Sequence, residues 1–316
     1  MIDQEQRSTP GAEVVCFGMI TSAVVLAVDR PPVHNTGQFI NRIQEFISDD
    51  AAIVACLLRQ WDVRTALIGT AVGDDPPGRQ IANRLKELGV LGNLRLSNEF
   101  ATPHEVNVSD LTGARTFFWQ REARVLDTLN TADLSPMAGA RLLYVDWYDG
   151  DRILRPMDEA VRLGIPVFLN LEHGHQSPEV LEQYASRASI CQAVTDEAQL
   201  GSDAASVAHK LLDAGADTAV VTMAGEGSLA MTRQGAIRAL APQVRVVDGC
   251  GSGAAFSAGL VHGYLHGLTL AENLRFATAA ASLNCTVVGP TAFPLPQITR
   301  LASDVPTERL SARGLV

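Results

Sequence analysis

The fold is most clearly indicated by the stretch Val246-Val247-Asp248-Gly249-Cys250-Gly251-Ser252-Gly253-Ala254-Ala255-Phe256. Its valines, with Val244 before them, are β-formers and predict a strand that runs into residues 249–254, the glycine turn. Small apolar residues follow and predict a helix over residues 254–267. A strand, a glycine-rich turn and a helix N-terminus together favour anion binding, because free backbone N–H groups and the positive end of the helix dipole converge there.

Outside this stretch, apolar strands alternate with helices. Strands are predicted at residues 142–146, 166–171, 189–194 and 218–223, with helices at residues 151–163, 178–187 and 203–215. Buried strands that alternate with helices predict a parallel sheet covered on both faces. In such sheets ligands bind beyond the carboxyl ends of the strands, and we expect the glycine turn to lie at such an end.

The first part of the chain adds a β-rich appendage. A period of two over residues 105–119 predicts a hairpin that turns at residues 110–113. Further elements are predicted at residues 14–20 (strand), 51–61 (helix), 66–69 (strand), 79–88 (helix) and 270–286 (helix). No linker or repeat interrupts the pattern, so one domain is expected.

Composition excludes several classes of protein. The 316 residues are 47% hydrophobic and 19% charged, which is typical of a globular chain. A net charge of −10 without a basic run argues against nucleic acid and anionic membranes as partners. No apolar run approaches a membrane span, and the first residues lack a signal-peptide core. Five scattered cysteines without a CxxC pair favour reduced thiols, and therefore a cytoplasmic location.

Over roughly residues 13–302 the chain resembles the PfkB, or ribokinase-like, carbohydrate kinases. The matching segments are residues 246–256, 72–78 with 85–90, 102–103 with 113–117, 220–223 with Gly227, and 276–289. Within that family, the spacing from Gly18 to Pro32 and the segment 147–150 resemble bacterial sulfosugar kinases.

The resemblance implies a ribokinase-like three-layer α/β sandwich, with a mostly parallel central sheet and a small β-lid. The lid is expected from about residues 19–50 and 100–120, between a flexible tail at residues 1–12 and a C-terminal tail at 303–316. The implied activity is transfer of the ATP γ-phosphoryl group to a sugar hydroxyl with Mg²⁺. In this family the lid often forms a dimer contact, which implies a homodimer.

The resemblance implies two roles for the glycine turn, phosphate binding and proton abstraction, and the sequence lacks the residue for the second. Gly251, Ser252 and Gly253 retain the backbone donors that would bind phosphate. Ala254 occupies the position of the family's catalytic aspartate, and alanine cannot accept a proton. Asp248 is a possible substitute base. However, it lies six residues earlier, at the end of the predicted strand, and we expect it on the opposite side of the turn from residue 254.

Positions that resemble the family's sugar site are replaced as well. Ala23 stands where the family has an aspartate that holds sugar hydroxyls. Ser48 and Asp49 stand at the Gly-Gly pair that lets backbone approach the sugar, and Ile53 stands at its asparagine. The alignment of these three can slip by one residue, but no Gly-Gly occurs nearby.

The nucleotide side keeps part of the pattern. Thr222, Gly225 and Gly227 resemble the family's nucleotide-side strand and turn, although Ala224 replaces a usual glycine. The Asn-x-x-Glu motif that organises Mg²⁺ falls at residues 195–198, where Asp196 or Glu197 could supply a displaced carboxylate.

Three functional hypotheses follow. The first is a pseudokinase that binds a phosphorylated metabolite, a nucleotide or a protein partner. The second is an active ATP-dependent sugar or nucleoside kinase with a base recruited from elsewhere. The third, suggested by the elbow-like setting of Ser252, is a serine hydrolase, although His262 and His266 lie on the helix that follows.

Two smaller features have two interpretations each. Glu172, His173 and His175 follow a predicted strand and suit either a metal site or a solvated loop. Cys250 precedes a helix N-terminus and is either a thiol of lowered pKa or a buried inert one.

Overall fold

A computed structural model describes residues 11–195 and 204–310 of the chain. Its strands are β1 (Val14–Gly18), β2 (Thr21–Val28), β3 (Ile40–Ser48), β4 (Thr65–Gly69), β5 (Val72–Gly73), β6 (Leu96–Ser97), β7 (His104–Ser109), β8 (Arg115–Gln120), β9 (Leu142–Asp146), β10 (Val167–Glu172), β11 (Ile190–Val194), β12 (Thr218–Thr222), β13 (Ser228–Thr232), β14 (Gly235–Ala239) and β15 (Thr307–Leu310). Its α-helices are α1 (Asp50–Gln60), α2 (Pro76–Leu88), α3 (Ala123–Asp127), α4 (Leu154–Leu163), α5 (Pro178–Tyr184), α6 (Ala204–Asp213), α7 (Ser252–Leu265), α8 (Leu270–Asn284) and α9 (Leu295–Asp304).

The central sheet has nine strands in the order β15-β14-β13-β12-β11-β10-β9-β1-β4. The six strands from β12 to β4 are parallel to their neighbours, while β13, β14 and β15 pair in antiparallel fashion. The predicted strands β9 to β12 and the mostly parallel sheet are therefore confirmed. The hairpin β13–β14 was not predicted.

Helices cover both faces of this sheet because its strands are apolar on both sides. Val14 and Cys16 of β1 pack with α1, α7, α8 and α9, whereas Val15 and Phe17 pack with α4, α5 and α6. Helix α7 is apolar on every side and is buried against α8, as its composition requires. Among the described residues, no helix combines the length and the apolar character needed to cross a bilayer.

A second sheet of four strands, in the order β3-β2-β7-β8, forms the lid. Its strands lie within the two segments predicted for it, and the turn at residues 110–113 is closed by the Gly113 N–H bond to the Asp110 carbonyl (2.9 Å). A Cβ placed on Gly113 would lie 2.9 Å from Val246 Cγ1. The tip of the lid hairpin therefore touches the loop that precedes the glycine turn.

Two predictions about chain organisation were wrong. Residues 244–247 form no strand, because the Val247 N–H donates to the Cys285 carbonyl at the end of α8 (2.8 Å) and joins no sheet. Residues 303–316 were predicted to be a tail, yet β15 pairs with β14 at the edge of the central sheet. Of the predicted N-terminal tail, only Gly11 and Ala12 are described.

Candidate functional site

Helix α7 begins in the glycine turn, and two local contacts explain the turn's sequence. Gly251 is the N-cap residue with φ 75°, and a Cβ there would lie 2.6 Å from Pro290 Cγ, so the position requires glycine. The Ser252 hydroxyl donates to the Gly249 carbonyl at 2.9 Å and tightens the turn. The predicted helix is confirmed, beginning two residues earlier than expected.

The first turn of α7 leaves backbone donors open. Among the described residues, none accepts a hydrogen bond from the N–H groups of Gly253 or Ala254, as expected for the first residues of a helix. A Cβ placed on Gly253 would meet no atom within 4 Å, so the space beside it is open. No acidic residue lies in this turn to neutralise the helix dipole. The turn can therefore accept an anion.

Neither of the two positions considered for a catalytic base at this turn, Ala254 and Asp248, offers a free carboxylate. Ala254 is 1% exposed and has only a methyl group. Asp248 is fully buried, and its two carboxylate oxygens accept the N–H groups of Cys250 (2.9 Å) and Gly289 (2.8 Å). Asp248 thus ties the glycine turn to the loop after α8. That arrangement gives a structural reason why Asp248 makes a poor substitute base.

The nucleotide-side residues lie together at the end of β12 and the turn that follows. Thr222 ends β12, and Ala224 has φ +46°, a conformation suited to the glycine that the family usually has. A Cβ at Gly225 would meet no atom within 4 Å, whereas one at Gly227 would lie 2.0 Å from the Ala239 carbonyl oxygen. Gly225 is thus open to a ligand, and Gly227 is required by the backbone. Asp196 and Glu197 lie outside the described residues.

The sugar-side positions meet at the inner face of the lid. Ala23 pairs with Glu105 between β2 and β7, and Ser48 Oγ lies 3.4 Å from Glu105 Oε1. Ile53 is 5% exposed and belongs to the core on the α1 face of the sheet. Glu105 also accepts from Asn107 (2.6 Å) and from the Trp119 indole (2.7 Å). The structure brings Ala23 and Ser48 together, but around a lid glutamate.

Asp49 keeps the backbone of a glycine while carrying a carboxylate. It has φ 70° and ψ 142°, a combination that L side chains rarely adopt, and it precedes α1 as N-cap. Its carboxylate accepts from the Thr21 hydroxyl and not from the helix. The backbone conformation of Asp49 is one that glycine adopts readily, as the predicted Gly-Gly position requires, but Asp49 adds a carboxylate that glycine lacks.

Three carboxylates meet at the carboxyl edge of the central sheet, and we call them the carboxylate triad. Asp50 is the first residue of α1, Asp146 ends β9 and Glu172 ends β10. One oxygen of each lies within 4.8 Å of the others. The buried Asn170 amide nitrogen lies 3.0, 2.8 and 2.8 Å from oxygens of Asp50, Asp146 and Glu172, respectively.

Burial and mutual repulsion alter the acidity of these groups. Burial first, and then the charge of Glu172, raises the pKa of Asp50 to about 7. Burial and the Asp50 charge likewise raise the pKa of Asp146 well above its usual range. Burial also raises the pKa of Asp149, whose carboxylate accepts the Met19 N–H (3.2 Å). These carboxyl groups are therefore weaker acids than usual, and they hold protons more readily than exposed carboxyl groups do.

Two arginines of the lid face this acidic edge. The Arg115 charge partly offsets the raised pKa of Asp50, and the Arg121 charge does the same for Asp49 and Asp149. A Cβ on Gly249 would lie 3.7 Å from Arg115 Nε, which places the guanidinium beside the glycine turn. Arg115 could therefore contact an anion bound at α7.

The remaining sequence hypotheses find less support. His262 stacks with His266 and Phe276 at the C-terminal end of α7, whereas Ser252 is its first residue, so neither histidine reaches the serine that a hydrolase would use. His175 Nε2 lies 3.1 Å from the Val194 carbonyl oxygen, and Glu172 joins the carboxylate triad without the neighbouring histidines. Burial raises the pKa of Cys250 to about 12, which favours the inert thiol.

Sequence reasoning did not identify the carboxylate triad, although a signal for it was present. Asp146 and Glu172 are the last residues of neighbouring parallel strands, and Asp50 opens the helix after β3. Ligands in such sheets bind at that edge. Acidic residues at adjacent strand ends were therefore candidates from the sequence alone.

Comparison with known proteins identifies the family. The model of the pfkB family of carbohydrate kinases matches residues 12–298. The chain belongs to this family. The fold is accordingly that of the ribokinase-like kinases, as the sequence resemblance implied.

Two relatives differ in how much of this chain they match. The aminoimidazole riboside kinase of Salmonella typhimurium is 35% identical over 129 residues, which span 38% of this chain but only 40% of that protein. The nucleoside kinase of Methanothermobacter thermautotrophicus is 25% identical over 278 residues, 85% of this chain and 88% of that one. Neither identifies the substrate of this protein.

Solved structures share the fold. Ribokinase from Arabidopsis thaliana, determined in complex with ribose and ATP, superposes with a TM-score of 0.71 at 19% identity. The superposition covers 93% of this chain and 99% of that one. At this identity the likeness establishes the architecture alone.

Proposed function

We propose that this pfkB-family protein is a pseudokinase, which binds a phosphorylated metabolite, a nucleotide or a protein partner and does not transfer phosphoryl groups. One observation carries the proposal. The first turn of α7 offers open N–H groups to an anion but, with Ala254 1% exposed at the base position, offers no carboxylate. Loss of a positioned general base alone lowers the rate by about 10²–10⁴.

Further replacements act in the same direction. Ala23, Ser48 and Ile53 supply none of the carboxylate and amide groups that the family resemblance expects around the sugar. Asp49 adds a carboxylate where backbone alone would approach the substrate. When several residues that serve one reaction are replaced, little of its rate remains, even if the individual losses of rate are not additive.

The proposed ligand is anionic, and ATP with Mg²⁺ is the first to test. The N–H groups of Gly251, Gly253 and Ala254 would face its phosphates, with Thr222 and Gly225 on the nucleotide side. The Ser252 N–H, which was also expected to do so, donates instead to the Gly249 carbonyl (3.2 Å). Ribokinase from A. thaliana has been captured with ATP, which supports the choice of nucleotide. Asp196 and Glu197 are the residues proposed to hold Mg²⁺ with it.

Binding and turnover must be measured on the same sample. Calorimetry of the full chain with ATP and Mg²⁺ is expected to show saturable binding. An ATP-consumption assay over a panel of sugars and nucleosides is expected to show no stimulation. Robust phosphorylation of any panel member by purified wild-type protein would overturn the proposal.

The second candidate is an active kinase with an unorthodox base, and the carboxylate triad favours it. Asp50 is linked to α7 through Asn170, Gln192 and Ser257, and its pKa of about 7 suits proton transfer at neutral pH. This candidate predicts one acceptor that stimulates ATP consumption. Asp50→Asn should then abolish the turnover, and Asp248→Asn and Glu197→Gln test the two bases indicated by the sequence.

We further propose a homodimer formed through the outer face of the lid, in a cytoplasmic protein. Phe39, just before β3, is 90% exposed, and Ile43 of β3 and Phe118 of β8 are each about 60% exposed on the lid. The five cysteines are all free, as suits a reducing compartment. Light scattering should give twice the chain mass for wild type, and the mass of one chain for Phe118→Asp.

A further inference from the structure

A cavity of about 810 Å³, which we call the α1–α2 cavity, lies between α1, α2 and the edge strand β3 of the lid. Leu57 of α1, Ile81 of α2 and Phe46 of β3 stand on its three walls. Small-molecule sites usually have volumes of about 300–1,000 Å³, so a drug-sized molecule would fit. The open N–H groups of Gly253 and Ala254 and the carboxylate triad do not line this cavity.

One side of the α1–α2 cavity borders the glycine turn. Pro290 lines the cavity, and a Cβ placed on Gly251 would lie 2.6 Å from Pro290 Cγ. Pro290 therefore stands between the cavity and the turn. Ile53, which also lines the cavity, is an apolar residue at the position where the resemblance expects a sugar-binding asparagine. The cavity is thus a neighbour of the anion site with a lining of its own.

The floor of the α1–α2 cavity is apolar. Ile53, Leu57 and Ile81 are at most 5% exposed and belong to the core, while Phe46 and Cys56 are half-buried and pack against it. Burial raises the pKa of the Cys56 thiol to about 12, as expected where little water reaches the group. A ligand in the cavity would therefore remove apolar surface from water, which favours binding.

The charged side chains that line the α1–α2 cavity are two acidic and two basic, and each has a polar partner. The partnerships are the ion pairs Arg79–Asp74 (2.5 Å) and Arg84–Glu87 (3.4 Å) and the hydrogen bond from Gln80 to Glu45 (3.1 Å). The lining therefore carries no net charge. A charged ligand would lose its hydration without gaining a free counter-charge, so the cavity favours an uncharged ligand.

Three polar side chains of the α1–α2 cavity remain open to a ligand. The Ser22 hydroxyl and the amides of Gln44 and Asn83 have no hydrogen-bond partner in the part of the chain that the structure describes. A hydroxyl and an amide each offer both a donor and an acceptor. Gln44 belongs to the lid and Asn83 to α2, so a ligand between them would contact both walls.

We propose that the α1–α2 cavity is a second small-molecule site, which binds an uncharged amphipathic molecule that carries hydroxyl, carbonyl or amide groups. The apolar part of the ligand packs on the floor, and its polar groups bond to Gln44 and Asn83. An apolar lining with a few polar groups that fix orientation is typical of specific ligand sites. The site requires neither ATP nor phosphoryl transfer, so the inference stands apart from the pseudokinase proposal.

The test uses Nile red, an uncharged amphipathic fluorophore whose carbonyl oxygen can accept a hydrogen bond from an amide. Its emission rises when it leaves water, and it is titrated with the full chain at pH 7.5. Wild type is expected to bind one Nile red per chain in a saturable manner. Asn83→Trp places a large side chain at the cavity and should weaken that binding by about tenfold or more. Gln44→Ala removes one open amide and should weaken it by about two- to tenfold.

The matched control is Lys86→Trp, which adds the same side chain to α2 at an exposed position that does not line the cavity. It should change the affinity for Nile red by less than about twofold. Both tryptophan variants alter exposed residues, so each is expected to unfold at the wild-type temperature without the probe. Equal losses of binding in Asn83→Trp and Lys86→Trp would overturn the proposal, and so would wild-type binding by Asn83→Trp.

Two further ligands test the chemistry and the separateness of the site. The fluorophore 8-anilinonaphthalene-1-sulfonate is apolar but negatively charged, and it should bind at the cavity about tenfold more weakly than Nile red or worse. Equally tight binding would contradict the uncharged class of ligand. ATP with Mg²⁺ should not displace Nile red, and displacement would show that the cavity belongs to the nucleotide site. No saturable Nile red binding by folded wild-type protein would also contradict the inference.

Discussion

The N-termini of α1 and α7 both lie at the carboxyl edge of the central sheet, and they carry opposite charge patterns. Helix α7 starts from glycine and has no acidic residue in its first turn, whereas Asp49 and Asp50 open α1. A chain of hydrogen bonds joins them, through Ser257, Gln192, Asn170 and Asp50 at 3.1, 3.3 and 3.0 Å. One end leaves backbone N–H groups open, and the other gathers carboxyl groups around the Asn170 amide.

Side chains, and not the helix dipole, set the difference between the two ends. Both helices present partial positive charge at their N-termini. At α7 the first turn has no acidic residue, and Ala254 stands where the sequence resemblance expects a carboxylate. At α1, Asp49 and Asp50 place carboxyl groups beside that charge, and Asp146 and Glu172 add two more.

The largest expected effect concerns Cys250, beside the N-terminus of α7. Burial raises its pKa to about 12 despite the helix dipole, so its thiolate at pH 8 should be about a thousandfold rarer than for an unburied thiol. Alkylation by iodoacetamide, followed by peptide mass spectrometry, should be slower than for free N-acetylcysteine by that factor. The rate should still rise tenfold per pH unit above pH 9. A plateau near pH 8 would show instead that the α7 dipole activates this thiol.

The next prediction separates the backbone of the glycine turn from its open donors. Gly251→Ala forces a left-handed φ and a contact with Pro290, and should lower the free energy of unfolding by about 2–3 kcal/mol in urea titrations. Gly253→Ala meets no neighbour and should leave stability equal or up to about 1 kcal/mol higher.

The same pair tests the anion site by calorimetry. ATP binding should weaken in Gly253→Ala although its fold is intact, because the added methyl group narrows the approach to the free N–H groups. If Gly253→Ala binds ATP as tightly as wild type does, ATP binds elsewhere, and the proposal of an anion site at the N-terminus of α7 is wrong.

At the other helix, Asp49→Gly should stabilise the protein by about 1 kcal/mol. Glycine relieves a backbone strain of about 1–3 kcal/mol at φ 70° and removes a carboxylate whose pKa burial raises to about 6, and these two gains together exceed the loss of the Thr21 hydrogen bond. Asp49→Asn, which keeps the acceptor and the strain, is the control in the same urea titration. A less stable Asp49→Gly would mean that the carboxylate at α1 is structurally required.

The smallest expected effect is that of restoring the base. Ala254→Asp would raise phosphoryl transfer by about 10²–10⁴ if the base were the sole loss. Because the sugar-side positions are also replaced, we expect less than about a tenfold rise above background in ATP consumption over the sugar panel. Folding of the variant is checked by its unfolding midpoint. A hundredfold rise would show that the rest of the site is intact.

Much of the fold could be predicted from sequence because its signals are local. Strands β9 to β12 are apolar runs between helices, and the lid hairpin has a period of two with a turn at residues 110–113. The error at residues 244–247 arose because β-propensity does not report pairing, and those residues bond to Cys285 at the end of α8. Edge strand β15 was missed because its residues are polar and exposed.

The candidate site was less predictable because it depends on contacts between distant segments. Gly251 to Gly253 are adjacent in sequence, so the anion site at α7 could be proposed directly. The triad joins residue 50 to residues 146 and 172, and only the parallel register of β9 and β10 brings them together. The hydrogen bond from the Gly289 N–H to the Asp248 carboxylate likewise joins residues that are 41 positions apart in the sequence.

The most direct test of the central claim follows ATP binding and phosphoryl transfer in one preparation of wild-type protein. Calorimetry with ATP and Mg²⁺ is paired with mass-spectrometric detection of phosphorylated product over sugars and nucleosides. We expect saturable binding that Gly253→Ala weakens, and no phosphorylated product from any acceptor. A product formed in many turnovers per chain would contradict it and would make the protein an active kinase.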